Sequence, residues 1–155
     1  MSKKENLKVR FGEPENGWIE IRLETALNRL SLHISYTPFH FIEELIEAII
    51  KVLDGEDAKA NGSYNPERYE FVFKVENEII HLQICAFPDY TPNENAKEVL
   101  FEHEGERVEI CKAFWRSFRD LQDRVSPEKF EESFRREFSL RDLEFLSGRI
   151  SQIKH

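Results

Sequence analysis

The chain is short of the residues that mark several common kinds of chemistry: in 155 residues it has two cysteines, six glycines and one methionine. Cys85 and Cys111 are far apart, with no CxxC pair and no histidine at ligand spacing. The pattern therefore argues against zinc and for two reduced, buried thiols. Scarce glycine leaves little material for a phosphate-cradling loop, and GxGxxG, GxxxxGK[ST] and GxSxG are all missing. No stretch approaches the roughly eighteen apolar residues of a membrane span. The charges of Met1–Leu7 are not followed by the apolar run of a secretion signal. These absences lead to the expectation of a soluble, cytoplasmic protein that does not engage a membrane.

Positive charge is also in short supply. Twenty-two Lys and Arg stand against thirty Asp and Glu, for a net charge of −8. Contact with a phosphate backbone depends on concentrated cations, so nucleic acid is excluded as an expected partner. Thirteen phenylalanines and a 40% hydrophobic share supply a core despite 34% charged residues. A chain of this length suits one domain, which buries about 70% of its unfolded surface.

Apolar periodicity predicts the elements. Residues 1–17 read as a flexible arm or an edge strand, residues 18–125 as an α+β core, and residues 126–155 as a helical hairpin belonging to the same domain. Ile19, Ile21 and Leu23 alternate with Glu20, Arg22 and Glu24, and Leu30, Leu32 and Ile34 answer them. A four-residue loop at Thr25–Asn28 sets Glu24 opposite Arg29 and Ile21 opposite Leu32. Thr37-Pro38 reads as an N-cap followed by a first-turn proline, and Ile42, Leu45, Ile46, Ile49 and Leu53 form the core stripe of the helix that follows.

Residues 54–66 are rich in turn formers and predict a loop, with Asn61-Gly62 its most turn-like step. A second hairpin runs from Tyr69 to Ala86 with its turn at Glu76-Asn77, and a strand from Glu98 to His103 follows. Cys111, Phe114, Trp115, Phe118 and Leu121 mark a long amphipathic helix, with Arg116–Asp120 and Arg119–Asp123 pairs on its wet side. Ser126-Pro127 and Ser139 with Asp142 start the last two helices. The predicted fold is α+β: one mostly antiparallel five-stranded sheet in the order ββαβββα, helices on one face, and the C-terminal hairpin appended.

Histidine is the remaining source of general-base chemistry. His33 opposes Glu20, an ordinary exposed cross-strand pair. His81 shares a face with Cys85 but four strand residues separate them, about 13 Å and too far for a dyad. His103 lies in Phe-Glu-His-Glu-Gly-Glu, which is not HExxH and reads as a solvated turn; His40 and His155 suggest no role. The sequence thus assigns no catalytic, cofactor-binding or metal-ligating residue and predicts no cofactor.

Acidic runs remain. Glu43, Glu44 and Glu47 line one helix face, and Glu102, Glu104 and Glu106 cluster around a turn, neither in calcium-loop order. Solvated faces explain both, and so does a docking field for a basic protein. Phe87 and Tyr90, in the proline-punctuated segment to Pro92 that begins a loop running to about Ala96, either pin that loop or form a contact surface. The leading expectation is a non-enzymatic protein-binding module acting through its acidic surface. The analogy is to immunity proteins or small secretion chaperones, on size, acidity and absent catalytic motifs alone. The alternatives are a small enzyme or ligand-binding domain whose pocket is invisible in sequence, and a subunit that forms a homodimer through its C-terminal helices.

Overall fold

Alternation in the first hairpin sets its register residue by residue. In the computed structural model, which describes residues 6–91 and 93–153, β2 (Trp18–Glu24) pairs antiparallel with β3 (Arg29–Ser35). Glu24 faces Arg29, Leu23 faces Leu30, Ile21 faces Leu32 and Glu20 faces His33. A one-residue slip would turn Ile19, Ile21 and Leu23 out of the core, which is why this register is strongly specified. On the outer side of β2, β1 (Lys8–Phe11) adds an edge strand. Phe11 is fully buried there and Leu7 nearly so. Of the arm expected over residues 1–17, Met1–Glu5 lie outside the described residues; the remainder is tied down through this strand.

The sheet does not continue as one body. There are two antiparallel sheets, β1-β2-β3 and β4-β5-β6-β7, in place of the single five-stranded sheet expected. The second comprises β4 (Ala58–Tyr64), β5 (Glu67–Glu76), β6 (Ile79–Phe87) and β7 (Glu98–Glu106). The surprise is β4, which occupies the segment expected to be a loop. Its turn-forming composition conceals period-two burial, with Ala60 and Gly62 inward. A residue without a side chain suits position 62 because Ile34 of β3 and the helix above crowd it: a Cβ on Gly62 would lie 3.0 Å from Ile34 and 3.1 Å from Phe41. The β5–β6 turn falls one residue later than expected, at Asn77-Glu78, since Glu76 pairs with Ile79. Asn77 takes φ +57°, a left-handed conformation that asparagine tolerates better than most residues.

Four helices complete the chain: α1 (Phe41–Leu53), α2 (Arg107–Arg124), α3 (Pro127–Phe134) and α4 (Leu140–Ser151). The first starts at Phe41 after His40, three residues beyond the expected start, because the chain is still bending over residues 36–39. Gly55, at φ +91°, stops it. Ser126 caps α3, accepting from Lys129 N at 3.1 Å, whereas Ser139 makes no side-chain cap to α4. On α2, Asp120 pairs with Arg124 and with Arg10 of β1 rather than with Arg116. The element order is thus βββαββββααα.

Aromatic rings dock the layers. Phe41 of α1 meets Phe71 of β5 at 5.2 Å, Phe114 of α2 meets Phe73 at 5.6 Å, and Phe118 of α2 stacks on Phe11 at 5.9 Å. Each pair contributes about 0.5–1.5 kcal/mol beyond its buried area. Phe130, Phe134, Phe138, Leu143, Leu146 and Ile150 of the C-terminal segment join the same continuous core as both sheets. Trp115 anchors α4 by donating from Nε1 to Ser147 Oγ at 2.8 Å. No described helix is long and apolar enough to cross a membrane.

Candidate partner-binding surfaces

The periodicity that buries Leu45, Ile46 and Ile49 sends Glu43 and Glu47 outward on α1. They meet an acid the sequence had assigned to capping. Carboxylate oxygens of Glu43, Glu47 and Asp142, the last from α4, all lie within 4.8 Å of one another. Burial first, then the charges of Asp142, Glu43 and Glu44, push the Glu47 carboxyl above the usual carboxylate range, with Lys51 opposing them. Among the described residues no Lys or Arg forms an ion pair with any of the three; Glu43 has only His40, at 3.2 Å, and His40 in turn contacts Arg136 at 2.9 Å. Beside this cluster opens a groove of about 820 Å³ between the start of α1 and the α3–α4 connection, with Phe130, Phe138 and Arg136 in its walls. Glu44, the third acid of the run, is committed internally: it accepts from Asn61 N at 2.9 Å.

The second acidic run is placed differently. Glu102 and Glu104 point away from the core on β7, the strand at the far edge of the second sheet from β4, while Glu106 is half-buried at the strand's end. A groove of about 1190 Å³ follows this strand, and its walls mix Glu102, Glu104 and Glu109 with Lys8, Lys74 and Arg116. His81 lies 3.7 Å from Glu104. This run is therefore interleaved with cations. The neighbouring His103 is not in a solvated turn, as its sequence suggested. It is 7% exposed, on the inner face of β7 opposite Leu82, because the strand extends to Glu106 and its alternation carries His103 inward with Phe101.

Phe87 and Tyr90 divide the two expectations for their loop. Phe87 is 1% exposed and pins the chain, its ring covered by the Arg68 guanidinium at 4.0 Å. Tyr90 is 43% exposed, although its hydroxyl is held by Ser63 at 2.7 Å and Asn65 at 3.2 Å. Its ring meets Phe39 edge-on at 5.7 Å. Pro92, the end of the proline-punctuated segment, lies outside the described residues, as does His155.

Glu20 and His33 are brought opposite each other, but the carboxylate is taken by Arg22 at 3.0 Å and by the Ser31 hydroxyl. Those hydrogen bonds, Arg22 first, hold Glu20 below the usual carboxylate range. Cys85 and Cys111 are free, buried thiols. Burial pushes Cys111 up to about 12 and raises Cys85 as well.

Sequence reasoning missed Asp142 as a neighbour of Glu47, and it missed Trp18, Phe39 and Tyr64 as surface residues. Only tertiary packing brings α4 to α1. No spacing in the sequence carries that information.

No family model and no curated protein matches the chain. Among solved structures, a chain described as the CdiA-CT/CdiI toxin and immunity complex from Enterobacter cloacae overlaps 77% of this chain and 99% of its own length, with a TM-score of 0.48 and 9% identity.

Proposed function

We propose that the chain is a non-enzymatic protein-binding module that receives a basic partner through its carboxylates. The observation that carries this reading is the packing of Glu43, Glu47 and Asp142 at the α1–α4 junction with no Lys or Arg ion-paired to them among the described residues. Like charges held this close repel, and an incoming Lys or Arg relieves the repulsion while gaining charge-assisted hydrogen bonds. The adjoining groove gives the partner apolar surface to cover as well. Among the described residues the β7 acids form no such close cluster, and Glu104 has His81 at 3.7 Å.

The test is purification of the tagged chain at low salt from the cells that make it. A stoichiometric protein partner of high isoelectric point is expected, released by salt and weakened by the Glu43→Gln/Glu47→Gln/Asp142→Asn variant. Recovery of the chain alone at low salt sinks the reading.

A second reading has a specific observation in its favour. Three carboxylates within 4.8 Å are also an oxygen-only donor set of the kind calcium or magnesium takes. Calorimetric titration with each metal separates the two, because only the second reading expects saturable heat absent from the triple variant.

A further inference from the structure

One end of the molecule gathers aromatic side chains from segments distant in sequence. Trp18 begins β2, Tyr64 ends β4, and Phe39 and Tyr90 lie in the connections after β3 and β6. Trp18 and Tyr64 meet edge to face at 5.6 Å, and Phe39 and Tyr90 do so at 5.7 Å. The two pairs are stitched together by the Tyr90 hydroxyl, which bonds to Ser63 and Asn65 on either side of Tyr64. Tyr64 remains 46% exposed and Tyr90 43%, while Trp18 and Phe39 are half-buried. Monomeric proteins seldom leave several large rings together in water without a use for them, and Tyr and Trp are the residues on which interfaces concentrate binding energy.

The rings are bordered by acids. Glu15 forms a backbone bridge with Trp18, Glu67 is the cross-strand partner of Tyr64, and Asp89 precedes Tyr90. Among the described residues none of these three carboxylates is in an ion pair, although Asp89 Oδ1 accepts from the Thr91 N–H at 2.9 Å and from the Thr91 hydroxyl, with Arg68 adding a longer-range attraction. Other rings of this chain already carry cations: Arg68 over Phe87, Arg119 over Trp115, and Arg135 and Arg136 over Tyr36. Among the described residues no arginine or lysine covers Trp18, Phe39, Tyr64 or Tyr90. A ring face attracts cations through its quadrupole, and a neighbouring carboxylate adds Coulomb attraction. The same carboxylates repel phosphate, which turns the chemistry away from nucleic acid even though the rings could stack on bases. The hydroxyl bonds of Tyr90 and the edge-to-face pairs fix the rings beforehand, so little side-chain freedom is lost on docking.

From this juxtaposition we infer that Trp18, Phe39, Tyr64 and Tyr90, with Glu15, Glu67 and Asp89, form a docking face for an arginine- or lysine-bearing segment of a protein partner. The inference rests on the reading of the chain as a binder of basic protein, and it assigns the anchoring contacts to residues other than the α1–α4 acids.

The experiment uses the full chain, isotopically labelled, titrated at low salt with tetra-arginine and tetra-lysine peptides and with tetra-glutamate as control. Saturable shifts are expected at the Trp18 indole and at Tyr64 and Tyr90, with none from tetra-glutamate. A Tyr64→Ala/Tyr90→Ala variant should weaken binding about tenfold. Should that variant lose its fold by circular dichroism, Glu15→Gln/Glu67→Gln removes the charge while sparing the rings, and should weaken binding about threefold. Shifts confined to Glu43, Glu47 and Asp142 overturn this inference and leave the proposed function standing. Absence of saturable shifts anywhere overturns both. Concentration-dependent shifts of the same rings without peptide make the occupant a second copy of the chain and overturn the inference.

Discussion

Glu44 reaches from α1 to the backbone of β4, where its Oε1 accepts the Asn61 N–H at 2.9 Å. An edge strand presents unpaired N–H groups that invite association, and this bond closes one of them with a charge-assisted contact. Glu44→Ala should cost about 1–3 kcal/mol by leaving that donor unsatisfied, whereas Glu44→Gln keeps an acceptor and should cost less. Urea denaturation gives the comparison. Equal midpoints for Glu44→Ala and the parent chain would falsify this role.

The same bond marks where sequence reading stopped. The first hairpin was legible to the residue because apolar and charged positions alternate on both strands, so one register satisfies both faces. β4 was not legible. Ala-Lys-Ala-Asn-Gly-Ser-Tyr carries little hydrophobic signal, and its strand conformation is imposed by β5 beside it and by α1 above it. The acids on α1 were readable as an outward stripe, but Asp142 joins them only through the packing of α4, and the face built on Trp18 and Tyr64 draws on four separate segments.

Two glycines separate packing from backbone propensity. On β4, Gly62 has Ile34 and Phe41 within 3.0–3.1 Å of where a Cβ would sit. Gly62→Ala therefore overpacks a rigid site and should destabilise by about 1–3 kcal/mol. Within α4, Gly148 has nothing within 4 Å of its Cβ position. Gly148→Ala should stabilise by about 0.5–1 kcal/mol, since alanine is the better helix former. Guanidinium unfolding of both variants tests the pair, and a stabilising Gly62→Ala would show that β4 has slack.

Both thiols should be silent in the native protein. Cys111 is fully buried beneath α1, its Sγ 3.9 Å from the Ile49 carbonyl oxygen, and burial pushes it up to about 12. The reactive species is the thiolate, so at neutral pH Cys111 has neither access nor ionisation. For Cys85 burial acts in the same direction, opposed by Lys97. A thiol-specific chromogenic reagent should label neither cysteine until denaturant unfolds the chain, and then both together. Fast labelling of Cys85 alone would mean that the connection carrying Tyr90 opens independently of the core.

Glu47 gives the acid cluster a pH signature whose sign can be worked out. Burial, then Asp142, Glu43 and Glu44, raise its folded-state value above 4.5. The folded chain therefore holds this proton more tightly than the unfolded chain does. Its contribution to stability is fully present below the unfolded value and is lost as pH rises through the folded one. Glu47→Gln mimics the protonated form, so it should raise the melting temperature near neutral pH and change little in acid, where the parent carboxyl is already protonated. Scanning calorimetry at both conditions reads the difference. A cation seated among Glu43, Glu47 and Asp142 would remove the same repulsion. On the reading in which the cluster takes a metal, calcium should therefore raise the parent melting temperature near neutral pH and leave the Glu47→Gln chain less affected. Equal stabilisation of both chains would place the cation elsewhere, and an unchanged melting temperature for Glu47→Gln would mean that solvent already screens the cluster.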